Sequence, residues 1–173
     1  MNTKKTKNKH GNVKLSEVES FFELLKAVSA AFDETVYVID FEQRCFRFVS
    51  DGGMFLCGNS PKKMMQMGYS FYREAIFIED YNLVENTLQA VADYFSDPKT
   101  RIRELAYIVF DFKASGYKGK IRLSHKFIPL IIDNKATMAI CSVSRSASKT
   151  SGNLYAYYNN VKLKNRATND SLP

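Results

Sequence analysis

The chain has 173 residues, 45% of them hydrophobic and 13% aromatic, which supplies one sizeable core and predicts a single domain with tails. Its net charge of +7 is concentrated at the ends: Lys4, Lys5, Lys7, Lys9 and Lys14 put +5 ahead of residue 15, residues 149–173 carry +3, and the body is left at −1. A near-neutral body argues against a nucleic-acid-binding surface, so the basic start reads as a solvated tail in preference to a nucleic-acid arm.

Cys45, Cys57 and Cys141 are widely spaced, odd in number and free of CxxC spacing, which excludes a zinc knuckle and a disulfide framework and points to a reducing cytoplasm. The longest apolar run, FIPLII at 127–132, is far short of the roughly 20 residues that cross a bilayer, so no membrane segment is expected.

The first ordered element is expected to be a helix beginning at Ser16, where Ser16 and Glu19 form an S-x-x-E capping box. Its apolar stripe, Val18, Phe21, Phe22, Leu25, Val28 and Phe32, must dock on the core or on a second copy of the chain, the core being preferred. Two β-branched and aromatic runs at 35–41 and 44–50, separated by Glu42 and Gln43, predict an antiparallel hairpin. Gly52 and Gly53 break the second strand, and MFLCG gives a short helical turn. Ser60 as N-cap and Pro61 at the first helical position then start a short helix that runs to Gly68. Lys62 and Lys63 sit in its first turn, where the helix dipole disfavours positive charge by about 0.3 to 1 kcal/mol each.

Glu79 and Asp80 are assigned as cap residues of a longer helix whose face is Val84, Leu88, Val91 and Phe95, ending at Ser96, Asp97 and Pro98. Runs at 104–112, 119–132 and 136–145, joined by SGYKG and DNK turns, predict a three-strand antiparallel meander. The sum is an α+β fold: a five-stranded antiparallel sheet with helices on one face, preceded by an N-terminal amphipathic helix.

This order resembles a PAS domain over residues 16–146. FLCGNSPKKM at 55–64 is similar to that family's hxGYSPEEh segment, and FIED at 77–80 stands where many members have His-Pro-Glu-Asp. VSDGGMFLCGNSP, ICSVSRS and SGNLYAYY at 151–158 further resemble the PAS-type sensor half of Bacteroides-type LuxR-family transcriptional regulators, in which a helix-turn-helix domain follows. The chain departs from the pattern at Lys62 and Lys63, where paired acids are common, and at Phe77 and Ile78, where His-Pro is usual. The resulting division is a disordered basic tail at 1–14, a PAS-like sensor domain at 15–146, and, at 147–173, a C-terminal extension or a linker to an output domain absent from this chain.

Chemistry-bearing residues are sparse. His10 lies in the tail, leaving His125 as the histidine of the body, with no partner set for a metal, a triad or a general acid/base pair, so no enzyme is expected and no cofactor is named. His125 alternates in phase with Ile121, Leu123 and Phe127 and so points to the covered face of the sheet, as a hydrogen-bonded core residue rather than a haem contact. Cys57 reads as a small buried thiol in preference to a photoreactive cysteine, the glycines at 52, 53 and 58 as conformational, and Met54, Met64, Met65 and Met67 as a soft core or contact cluster.

The resemblance implies a small-molecule pocket between the sheet and the long helix, assigned to Leu88, Tyr107, Val109, Leu123, His125 and Phe127, with a filled apolar core as the alternative. It also implies a homodimer, assigned to Val18, Phe21, Phe22 and Leu25. The expected function is a cytoplasmic, non-catalytic sensory and dimerisation module that relays ligand or partner binding to a helix-turn-helix output and meets DNA only through it. The alternative is a free-standing protein-interaction module without a small-molecule ligand.

Overall fold

Apolar residues line one whole face of the sheet and part of the other, and different helices cover the two. The structure is a computed structural model describing residues 18–31, 34–97, 105–116, 119–132, 135–158 and 161–166. Its strands are β1 (Thr35–Asp40), β2 (Cys45–Val49), β3 (Leu105–Gly116), β4 (Gly119–Ile132), β5 (Lys135–Arg145), β6 (Asn153–Tyr158) and β7 (Val161–Arg166). They pair antiparallel in the order β2-β1-β5-β4-β3-β6-β7. The helices are α1 (Val18–Ser29), α2 (Pro61–Met67), α3 (Phe71–Ala75) and α4 (Ile78–Ser96), with 3-10 turns at Met54–Leu56 and Gly68–Ser70.

The five expected strands are present in PAS-like order, with α2, α3 and α4 between β2 and β3. SGNLYAYY, placed in the C-terminal extension, supplies a further strand. β6 adds to the free edge of β3 and β7 adds to β6, so the sheet has seven strands. Leu154 and Ala156 of β6 turn inward opposite Phe110 and Ile108.

On the inner face Tyr37, Phe46, Phe110, Phe112, Leu123, Phe127 and Cys141 pack against Met64, Phe71, Tyr72, Val84, Leu88, Val91 and Phe95 of α2, α3 and α4. On the outer face Val36, Val38, Phe48, Leu130, Ile132 and Met138 receive Phe21, Phe22 and Leu25 of α1. The core-docking reading of that stripe therefore holds for these three residues, and Phe22 stacks on Phe48 at 6.4 Å between ring centroids. Val28, placed in the same stripe, is 45% exposed, and Leu24 is 62% exposed. Ser16, Phe32 and the side chain of Val18 lie outside the described residues.

Two helix starts contrast. Ser60 Oγ accepts from Lys63 N at 3.2 Å with Pro61 in the first turn, as local chemistry dictates. Glu79 and Asp80 do not cap α4: its N-cap is Phe77, which makes no side-chain cap bond. Instead the buried Asp80 accepts from the backbone N–H of Lys113 at 2.6 Å, and Glu79 pairs with Lys113 and Lys120 at 3.2 Å each. These carboxylates fasten the start of α4 to β3 and β4. Asp80→Ala is expected to cost about 1 to 3 kcal/mol by stripping that N–H of its acceptor, measurable as a lower urea midpoint at unchanged m-value.

Candidate functional site

His125 sits at the centre of the inner face because its parity on β4 matches that of Leu123 and Phe127, with Phe110 opposite on β3 and Val143 opposite on β5. It is wholly buried and walled by aromatic rings: Phe127 at 4.2 Å, Phe110 at 5.2 Å, Phe112 at 5.8 Å and Phe55 at 6.0 Å between centroids. Its Nε2 is hydrogen-bonded to the hydroxyl of Tyr37, which spans across β5, and Tyr37 Oη meets Tyr72 Oη of α3 at 2.9 Å. Nδ1 has no partner among the described residues.

Burial pushes the His125 pKa down to about 3 and raises those of Tyr37 and Tyr72 well above the usual phenol value. All three are therefore neutral at physiological pH, a buried uncharged chain from sheet to helix. With rings packed around it and Nε2 tied to Tyr37, His125 sits as a hydrogen-bonded core residue. Cys57, half-buried near Met54 O, has its thiol pushed up to about 11 by burial, which keeps it protonated and unreactive.

Of the residues assigned to a pocket, Leu88, Leu123, His125 and Phe127 come together in the inner core. Tyr107 and Val109 do not join them, because the inward residues of β3 are Ile108, Phe110, Phe112 and Ala114. Tyr107 instead stacks on Tyr157 at 4.4 Å with Lys126 Nζ 4.9 Å from its ring, and Val109 is paired with Lys126 and Tyr155. The one-residue phase error has a legible remedy: Asp111 and Lys113 alternate with Phe110, Phe112 and Ala114, which sets the inward parity. Tyr37, Tyr72 and Phe55 carried no signal of this kind.

A cleft of about 210 Å³ opens beside this cluster, between the β1–β2 turn, α3 and α4. It is lined by Arg44 of the turn, Tyr69, Ser70, Tyr72 and Arg73 around the start of α3, and Tyr81, Glu85 and Leu88 of α4. Arg44 sits in the turn at φ 50°, a left-handed conformation that costs a side-chain-bearing residue about 1 to 2 kcal/mol. Its guanidinium lies over Tyr69, 4.6 Å from the ring centroid, with no carboxylate in ion-pair contact among the described residues. Arg73, by contrast, is engaged: its Nε donates to Tyr81 Oη at 3.1 Å and Tyr81 donates to Glu85 at 3.3 Å. Tyr72 thus contributes to the cleft wall while its hydroxyl is tied to the buried chain.

No protein-family model matches the chain, and no curated protein matches it. Among solved structures it is similar to the PAS domain of an HTR-like protein from Haloarcula marismortui, at 11% identity over 76% of this chain and 96% of that one, with TM-score 0.48. It is also similar to the PAS domain of a protein from Colwellia psychrerythraea, at 14% identity over 73% and 99% of the two chains, with TM-score 0.49. By its own element order and strand pairing the fold class is PAS-like: an antiparallel sheet with α2, α3 and α4 packed on one side, preceded by the N-terminal helix α1. No helix among the described residues is long and apolar enough to cross a membrane.

Proposed function

We propose that the protein is a non-catalytic sensory and dimerisation module of a bacterial transcriptional regulator, which relays ligand or partner binding to a helix-turn-helix output. PAS domains serve widely as sensory modules. The observation that carries the reading here is the cleft walled by Tyr72, whose hydroxyl bonds Tyr37 and through it His125 at the centre of the sheet. An occupant that favours one position of Tyr72 biases the sheet, and the sheet's outer face carries α1. Because Phe21, Phe22 and Leu25 are spent on that docking, the exposed Leu24 and Val28 are the residues of α1 left to meet a second copy.

Native mass spectrometry of the full chain tests both parts, with a copurifying small molecule and a dimer as the expected result. Leu24→Glu with Val28→Glu is expected to shift the dimer to monomer without unfolding it, whereas a monomeric wild type, or a variant that stays dimeric, overturns the dimer assignment. The second reading, a free-standing interaction module without a small-molecule ligand, draws support from the same exposed Leu24 and Val28. A ligand-free wild type that retains a protein partner favours it.

A further inference from the structure

We propose that the cleft between the β1–β2 turn, α3 and α4 is built for a one-ring ligand bearing a carboxylate, with Arg44 as the group that recognises the anion. This inference rests on the sensory reading and names its ligand class. The volume of about 210 Å³ lies below the roughly 300–1,000 Å³ of sites for drug-sized molecules, which limits the ligand to about one ring. Tyr69 and Tyr72 supply aromatic surface and Leu88 an apolar one, suited to the ring.

The charge pattern selects the other end of the ligand. Glu85 lines the cleft, but its Oε1 already accepts from Tyr81, and Arg73, bonded to the same hydroxyl, offsets its charge. Arg44 is different: its guanidinium is held over Tyr69 and makes no ion pair among the described residues. A stacked guanidinium keeps its in-plane N–H donors available, and that fork matches a carboxylate in two-point contact.

Backbone conformation adds an independent observation. At φ 50° the turn favours glycine or asparagine, and a long cationic side chain there breaks the local rule while its guanidinium lies over the ring of Tyr69. An arginine kept at a position strained for it is accounted for by what its side chain does in the cleft.

The test is an NMR titration of the full chain with benzoate, with neutral benzamide as the matched control, alongside Arg44→Gly and Arg44→Lys. Benzoate is expected to shift the amides of Tyr69, Tyr72 and Leu88, and benzamide to bind at least tenfold more weakly. Arg44→Gly relieves the backbone strain, so its unfolding midpoint should equal or exceed that of the wild type while benzoate affinity falls at least tenfold. Arg44→Lys, which keeps the charge and loses the fork, should also lose affinity. Equal binding of the two probes, or full benzoate affinity in Arg44→Gly, overturns the inference, as does the absence of any shift at the cleft. Mass spectrometry of the same sample separates the two levels: a neutral molecule in the cleft overturns the anion assignment and leaves the sensor standing, whereas an empty, unresponsive protein overturns both.

Discussion

Gly53→Ala is expected to lower the unfolding free energy by about 3 kcal/mol or more, through backbone strain and steric overlap together. Gly53 has φ 85° and ψ 156°, a region open essentially to glycine alone. A Cβ built there falls 2.1 Å from Thr35 Oγ1, 2.6 Å from its nitrogen and 2.8 Å from its Cα, and two of those three atoms are backbone of β1 that cannot swing away. The displacement would spread, because Thr35 Oγ1 accepts from Phe55 N at 3.3 Å and donates to Gly52 O at 3.4 Å. Phe55 in turn packs at 5.8 Å over Tyr37 and at 5.4 Å edge-on to Phe71, so the clash reaches the wall around His125. Gly52 is the internal control. It has the same φ of 85° but nothing within 4 Å of a Cβ, so Gly52→Ala should bear only the conformational cost of about 1 to 2 kcal/mol. Urea unfolding of both variants decides the matter: equal losses would show that the approach of Gly53 to β1 does not matter.

That pair of glycines also marks how far residue chemistry alone reaches. Gly52 and Gly53 read correctly as conformational, yet nothing local separates the one with open space from the one pressed on Thr35. The same boundary recurs through the chain. Ser60 and Pro61 were legible because an N-cap is completed within four residues, and the 119–132 strand because its apolar alternation is long and bounded by turns. Glu79 and Asp80 were misread because carboxylates at a helix start look like caps, whereas the N–H that Asp80 serves belongs to Lys113, 33 positions away. β6 offered Leu154 and Ala156 in alternation, but a short strand becomes evident only once the free edge of β3 is known. Tyr37 joins Tyr72 and His125 across separations of 35 and 88 residues, so the centre of the site emerges only with the fold. Arg44 and Arg73 look in sequence like any solvated arginine; what distinguishes Arg44 is a backbone angle.

Acid should destabilise this protein through His125, and the sign follows from where the proton goes. The unfolded imidazole takes a proton below about its ordinary value of 6.5, whereas the native one, held down by desolvation, takes it only near pH 3. Between those values the unfolded state binds more protons, so stability is level above pH 6.5 and falls as the pH drops toward 3, by up to about 1.4 kcal/mol per unit. A charged ring there would stand among Phe55, Phe110, Phe112 and Phe127, with an Nδ1–H that has no acceptor among the described residues. Glu79, its carboxyl held below the usual range by hydrogen bonds from Lys113 and Lys120, also loses its contribution in acid, but it is common to the wild type and a His125 variant. The measurement is therefore a difference: urea unfolding of the wild type and of His125→Gln from pH 7.5 to 3.5. Whatever Gln costs at neutral pH, the gap between the two curves should shift in favour of the variant below pH 6.5, and parallel curves would refute the buried neutral histidine. A histidine that stays neutral down to about pH 4 does not titrate near neutrality, so a change of ambient pH in that range leaves the Tyr72–Tyr37–His125 chain uncharged.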